Sequence, residues 1–169
     1  MDRIILWSLL IIGITLLFSS LRKPPIKNWI LIFFMSSCFS TFLGVLVVEK
    51  KMLEYPVRFL SNYYSSSLLY EYLLFPVVCI YFYQTTYRSR YFNIVLQCIL
   101  YTTVLTIIEF LFERYTELIK YHTWTWIYTF ISTFLLMMFI RFLMQLINRK
   151  ERLIWGISIG KGRQKDKRK

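Results

Sequence analysis

The sequence contains no alanine and only five glycines in 169 residues, although both are common in ordinary proteins. Ile, Phe, Lys and Tyr are plentiful instead, the bias of an AT-rich coding sequence. This scarcity excludes helix packing on alanine, so close backbone contacts must use Ser, Thr, Cys or one of the glycines. Histidine is nearly absent as well: His122 stands alone, without a CxxC or HxxxH spacing, so neither a metal site nor a cofactor is expected. Cys38, Cys79 and Cys98 all fall inside apolar runs, and an odd count with no cysteine in a loop provides no disulfide framework. They read as small buried apolar residues. No glycine-rich phosphate loop and no nucleophile with a base beside it can be found, so no catalytic residues are assigned and an enzyme is not expected.

Acidic residues are the other scarcity, nine Asp and Glu against 21 Lys and Arg, a net charge of +12. Nucleic acid would be one partner for such a charge. However, nine of the basic residues lie beyond Asn148 and do not line a folded aromatic face, so nucleic acid is not expected. The abundant component is apolar: 57% of residues are hydrophobic and 20% aromatic, more than a soluble domain of this length can bury. The charges sit in short punctuating segments, the distribution of a chain that crosses lipid.

Ile4 to Leu21 is an uncharged run of 18 residues, long enough for a hydrocarbon core of ~30 Å at ~1.5 Å per residue. It lacks a small-x-small cleavage site and is read as an uncleaved first span. Arg22 to Lys27, with Pro24 and Pro25, ends it. Further spans are expected at about 28–48, 68–87, 91–112 and 123–147. Residues 49–67 are too polar and aromatic to cross and suit the headgroup region, while 149–169 form a basic cytoplasmic tail whose ending, from Lys161, is expected to be disordered. The fold class is therefore an all-α, polytopic transmembrane helix bundle of five spans. With the C-terminus inside, the inner segments carry fourteen Lys and Arg and the outer ones six, which selects N-out/C-in. Trp7, Trp29, Tyr87, Tyr91, Trp124, Trp126 and Trp155 fall near span ends, where amphipathic rings prefer to lie. No internal repeat is evident, which argues against an inverted-repeat transporter fold.

Three groups of residues stand out. Ser36, Ser40 and Gly44 are spaced by four, placing small side chains on one stripe suited to close packing within the chain or against a membrane protein partner. Cys98, Thr102, Thr106, Glu109 and Glu113 share one face of the fourth span. With Tyr91 at the inner boundary, Glu109 lies about 27 Å across, and Glu71, near the outer start of the third span, reaches a similar depth. The carboxylates form a candidate polar site with His122 and Trp124, since ionisable residues in a span are costly and can relay protons or hold a cation. Pairing with Arg58, Arg114, Lys120 or His122 is the plainer alternative. Pro76 frees the carbonyl of Tyr72 and predicts a kink beside Glu71. Finally, Arg141 snorkelling towards Arg149, Lys150 and Arg152 would make an inner basic collar for anionic lipid headgroups.

The glutamate late in span four, followed by Tyr121, Trp124 and Trp126 in a Tyr-x-x-Trp-x-Trp entry to span five, resembles a family of uncharacterised small five-span integral membrane proteins of spore-forming Gram-positive bacteria. The resemblance covers the last three spans and implies a bacterial cell membrane and a link to sporulation. It brings no catalytic residues. The expectation from the sequence is a multi-pass structural or accessory component, with a small transporter or channel using the outer carboxylates as the alternative.

Overall fold

The computed structural model describes residues 2–56, 67, 69–87, 89–116, 118–122 and 124–166, with side chains described as far as Lys150. The expected headgroup stretch is therefore described only at 49–56 and 67, and the last three tail residues lie outside the description. The chain forms helices α1 (Asp2–Leu21), α2 (Ile26–Glu49), α3 (Phe75–Thr86), α4 (Tyr91–Tyr115) and α5 (Trp126–Asp166). Strands β1 (Leu53–Glu54) and β2 (Lys120–Tyr121) pair antiparallel, Leu53 opposite Tyr121. Among the described residues, α1, α2, α4 and α5 up to Lys150 are long and apolar enough to cross a membrane. Their outward faces carry large apolar side chains such as Ile11, Phe18, Phe34, Leu100 and Leu135, each at least 60% exposed. Water does not tolerate such a surface over four helices, whereas lipid does.

The third helix has another design. Pro76 has no N–H to give the carbonyl four residues back, and the backbone adapts with a π-helical turn, Tyr70–Leu74, directly before α3. The Phe75 amide bonds the Tyr70 carbonyl, one residue further back than in an α-helix. Ser37 on α2 shares its hydroxyl proton between Phe33 O at 2.8 Å and Tyr72 O at 3.4 Å, so the neighbouring helix helps satisfy the carbonyl that Pro76 abandons. The unit lies at the centre of the bundle. Phe75, Val77, Cys79, Ile80, Phe82 and Tyr83 are all buried, packed against α2, α4 and α1.

Small residues line the close contacts, as an alanine-free chain requires. Ser20, Ser36, Thr86, Cys98 and Thr102 are completely buried. Their hydroxyls commonly return to their own helix, as Ser36 does to Ile32 O at 2.6 Å, which meets the hydrogen-bonding need where water is absent.

The two ends of the bundle differ in charge. At the end clasped by β1 and β2, Leu6, Leu53, Tyr55, Leu69, Leu118 and Ile119 form a small core. Asp2, Glu49, Glu54, Glu71, Glu109 and Glu113 belong to this half, together with Arg3, Lys50, Lys51, Arg114 and Lys120, so its charge is nearly balanced. The opposite end is tied by Tyr81 Oη to Leu16 O and Gln84 Nε2 to Ser20 O. It carries Arg22, Lys23, Lys27, Arg90, Arg149 and Lys150, with no acidic residue among the described residues of that end up to Lys150.

Three expectations are corrected. The fifth helix does not stop at Ile147 but continues to Asp166, into the ending expected to be disordered. Asn148 to Ile154 offers no proline or glycine to halt it, and Arg, Lys, Glu and Leu sustain a helix. Trp29 is not an interface anchor: it is 3% exposed and packs edge-on to Tyr83. Arg141 does not snorkel into a collar. It is 4% exposed, donates to Thr86 O and stacks over the Tyr83 ring at 4.4 Å. An interior aromatic face and a helix-end carbonyl hold this guanidinium inside the bundle.

Candidate functional site

The end of α2 sets up one wall of the site. Lys51 adopts a left-handed backbone (φ 53°), and the amides of Lys51 and Met52 turn back to Val48 O and Val47 O, a Schellman closure built on lysine. The turn presents the Met52 carbonyl to the facing connection, where it accepts the amides of His122 at 3.1 Å and Trp124 at 3.2 Å. With the β1–β2 pair, these bonds fix Trp124 and the start of α5 over the ends of α2 and α4.

Below this clasp lies a cavity of ≈150 Å³ among α2, the π-turn, α4 and α5. Glu71 and Glu109 both line it, together with Ser40, Gly44, Tyr55, Trp124, Thr129 and Thr133. Glu71 is 2% and Glu109 6% exposed, so neither carboxyl group faces lipid. Gly44 makes the space for the first: a Cβ there would collide with Glu71 Oε1. Glu109 is reached by a directed chain in which the Trp124 indole N–H donates to Thr129 Oγ1 at 2.7 Å and that hydroxyl donates to Glu109 Oε1 at 2.9 Å. An indole nitrogen can only donate, so the single hydroxyl proton of Thr129 goes to the carboxylate.

The stripe of Cys98, Thr102, Thr106 and Glu109 is buried throughout and faces α5: Cys98 approaches Phe134 O and Thr102 approaches Met137 Sδ, both at 3.8 Å. The stripe of Ser36, Ser40 and Gly44 is turned inward against the π-turn and α3, within this chain. Of the four candidate polar residues, Glu71, Glu109 and Trp124 meet at the cavity. His122 does not join them, because its exposed side chain stands outside while its backbone amide serves the clasp. Among the cations considered as partners, Arg114 is exposed, Arg58 lies outside the described residues, and the side chain of Lys120 is likewise outside them.

Sequence reasoning missed Tyr55, Thr129, Ser132 and Thr133, all of which line the cavity. A signal for part of this existed: Thr129, Thr133, Met137 and Arg141 recur at steps of four and are all buried. In the proposed collar, Arg141 is interior, Arg149 and Lys150 are exposed, and the side chain of Arg152 lies outside the described residues.

Two carboxylates and several hydroxyls in a cavity this small can hold a proton or a cation by oxygen ligation. Among the described residues, no group of three or more His, Cys, Asp or Glu side chains is placed to bind a metal ion. Comparison with protein-family models, with curated protein sequences and with solved structures finds no match to this chain.

Proposed function

We propose that the chain is a five-span membrane protein, N-out/C-in in a bacterial cell membrane, that binds and passes a small cation or protons at Glu71 and Glu109 in its outer half. The supporting observation is the sharing of one interior cavity by two buried carboxylates. A buried acidic group in a span is costly to retain without a task. At ≈150 Å³ the cavity lies below the ~300 Å³ typical of small-molecule pockets, so its size favours an ion with its water over an organic substrate.

The fifth span is α3 with its π-turn. Leu69 to Thr86 is helical for 18 residues, about 27 Å at ~1.5 Å per residue, and its lining by other helices removes the need for a lipid-facing surface. The N-out/C-in orientation draws support from the basic end of the bundle, which matches the cytoplasmic excess of Lys and Arg. A setting in sporulation rests on the family resemblance alone. On this reading the protein is not an enzyme.

Reconstitution into liposomes with a pH-sensitive dye and with monovalent cation gradients tests the proposal. Flux is expected to fall sharply in Glu109→Gln and Glu71→Gln, with melting temperature retained. Equal flux in wild type and both variants would sink it. The observation favouring a second reading, a structural or accessory component, is the extension of α5 for 16 residues beyond Lys150 as a basic helix suited to a protein partner.

A further inference from the structure

A second cavity, of ≈560 Å³, lies at the basic end between the α1–α2 connection and the C-terminal half of α3. Lys23, Pro24, Trp29, Tyr81, Gln84 and Tyr87 line it. Its walls are fixed. The Trp29 indole donates to Lys23 O, and the Tyr81 hydroxyl donates to Leu16 O at 3.2 Å. Gln84 Nε2 donates to Ser20 O at 3.0 Å, while the buried Oε1 of the same side chain has no hydrogen-bond partner in the structure. Lys23 is exposed, as are the neighbouring Arg22 and Lys27, and no acidic residue lies between Arg3 and Val48.

We infer that this cleft binds an anionic phospholipid. Lys23 takes the phosphate, Gln84 lines the wall beside it, and Tyr81 and Tyr87 hold the glycerol region. The acyl chains run past the C-terminal half of α1, where Ile14 and Phe18 are exposed. Several features select a lipid. A cleft at the ends of membrane helices, basic on one side and aromatic on the other, has the composition of headgroup sites. Its volume is within the ~300–1,000 Å³ of small-molecule pockets. Lys23 with exposed neighbours is a weak site for a free anion in water, but a membrane delivers the phosphate at the height of that lysine. The site replaces Arg141 as a lipid contact, since that guanidinium is turned inward, and it is independent of the Glu71–Glu109 cavity.

Native mass spectrometry of the full chain in detergent, with phosphatidylglycerol or phosphatidylcholine of identical acyl chains, tests the assignment. Phosphatidylglycerol is expected to be retained preferentially. Lys23→Gln should lower its occupancy about fivefold, from roughly 1 kcal/mol per basic residue near a membrane surface, and Lys23→Arg should preserve it. Gln84→Glu, which sets a carboxylate against the headgroup, should also reduce retention, so the proposal stays testable if Lys23→Gln fails to fold. Equal retention of the two lipids, or a preference unchanged in the folded Lys23→Gln and Gln84→Glu proteins, would overturn it. Loss of preference only in the Arg149→Gln/Lys150→Gln double variant would move the lipid to α5 and overturn it equally. Displacement by inorganic phosphate at matched concentration would make this a free-anion site, which also contradicts the assignment.

Discussion

The carboxyl group of Glu71 occupies the space that any side chain at position 44 would fill, with Oε1 overlapping the place where a Cβ on Gly44 would stand. Glycine inside a helix costs ~1 kcal/mol relative to alanine, whereas overpacking a filled interior costs ~1–3 kcal/mol. Gly44→Ala should therefore lower the melting temperature in detergent. In a Glu71→Ala background the same change should be neutral or stabilising, because the obstructing group is gone. Additive effects in this double-mutant cycle would show that the two positions are not in contact.

The Thr129 hydroxyl links the Trp124 indole to the Glu109 carboxylate, so Thr129→Val removes both of these bonds. A loss of about 1 kcal/mol is expected from removing the two hydrogen bonds of this hydroxyl. Thr129→Ser keeps the hydroxyl and should recover most of it. Urea melts of the three proteins would settle the order, and a Val variant as stable as the Ser variant would contradict it.

Lys51 closes α2 in a left-handed conformation that costs a non-glycine residue roughly 1–2 kcal/mol. Lys51→Gly removes that cost but adds flexibility to the unfolded chain, so its stability should equal or exceed wild type. Lys51→Val should be clearly less stable, since a β-branched residue tolerates this region poorly. Thermal denaturation showing Gly to be the worst of the three would refute the cap geometry.

Arg141 stacks on Tyr83 and donates to Thr86 O, while Nε and Nη1 are buried without hydrogen-bond partners. Replacing a buried charge by an apolar chain of similar volume is often neutral or stabilising. Lysine keeps the charge but loses the planar stacking and the fork of donors. Arg141→Met should therefore melt at or above wild type and Arg141→Lys below it. The reverse ranking would indicate that the positive charge itself sustains this part of the bundle.

Much of the architecture was readable from the sequence because it depends on local quantities. Uncharged run length marked α1, α2, α4 and the membrane part of α5, and a four-residue spacing aligned Cys98, Thr102, Thr106 and Glu109 on one face. The missing N–H of Pro76 announced a disturbance beside Glu71, although not its form as a π-turn. Helix termination was less legible, since nothing in Asn148 to Ile154 marks where lipid ends and α5 goes on.

By itself the sequence determined that this chain belongs in lipid, roughly where its helices run, and that Glu109 sits on an inward stripe, because hydropathy and period are properties of neighbouring residues. Only the tertiary structure decided that α3 is central, that Gly44 makes room for Glu71, and that Thr129 connects Trp124 to Glu109. It also turned Arg141 towards Thr86, 55 residues away along the chain. The physical reason is that a buried polar side chain follows the best partner within reach. For Arg141 that partner is the Tyr83 ring with the Thr86 carbonyl on another helix, and no local spacing encodes that choice.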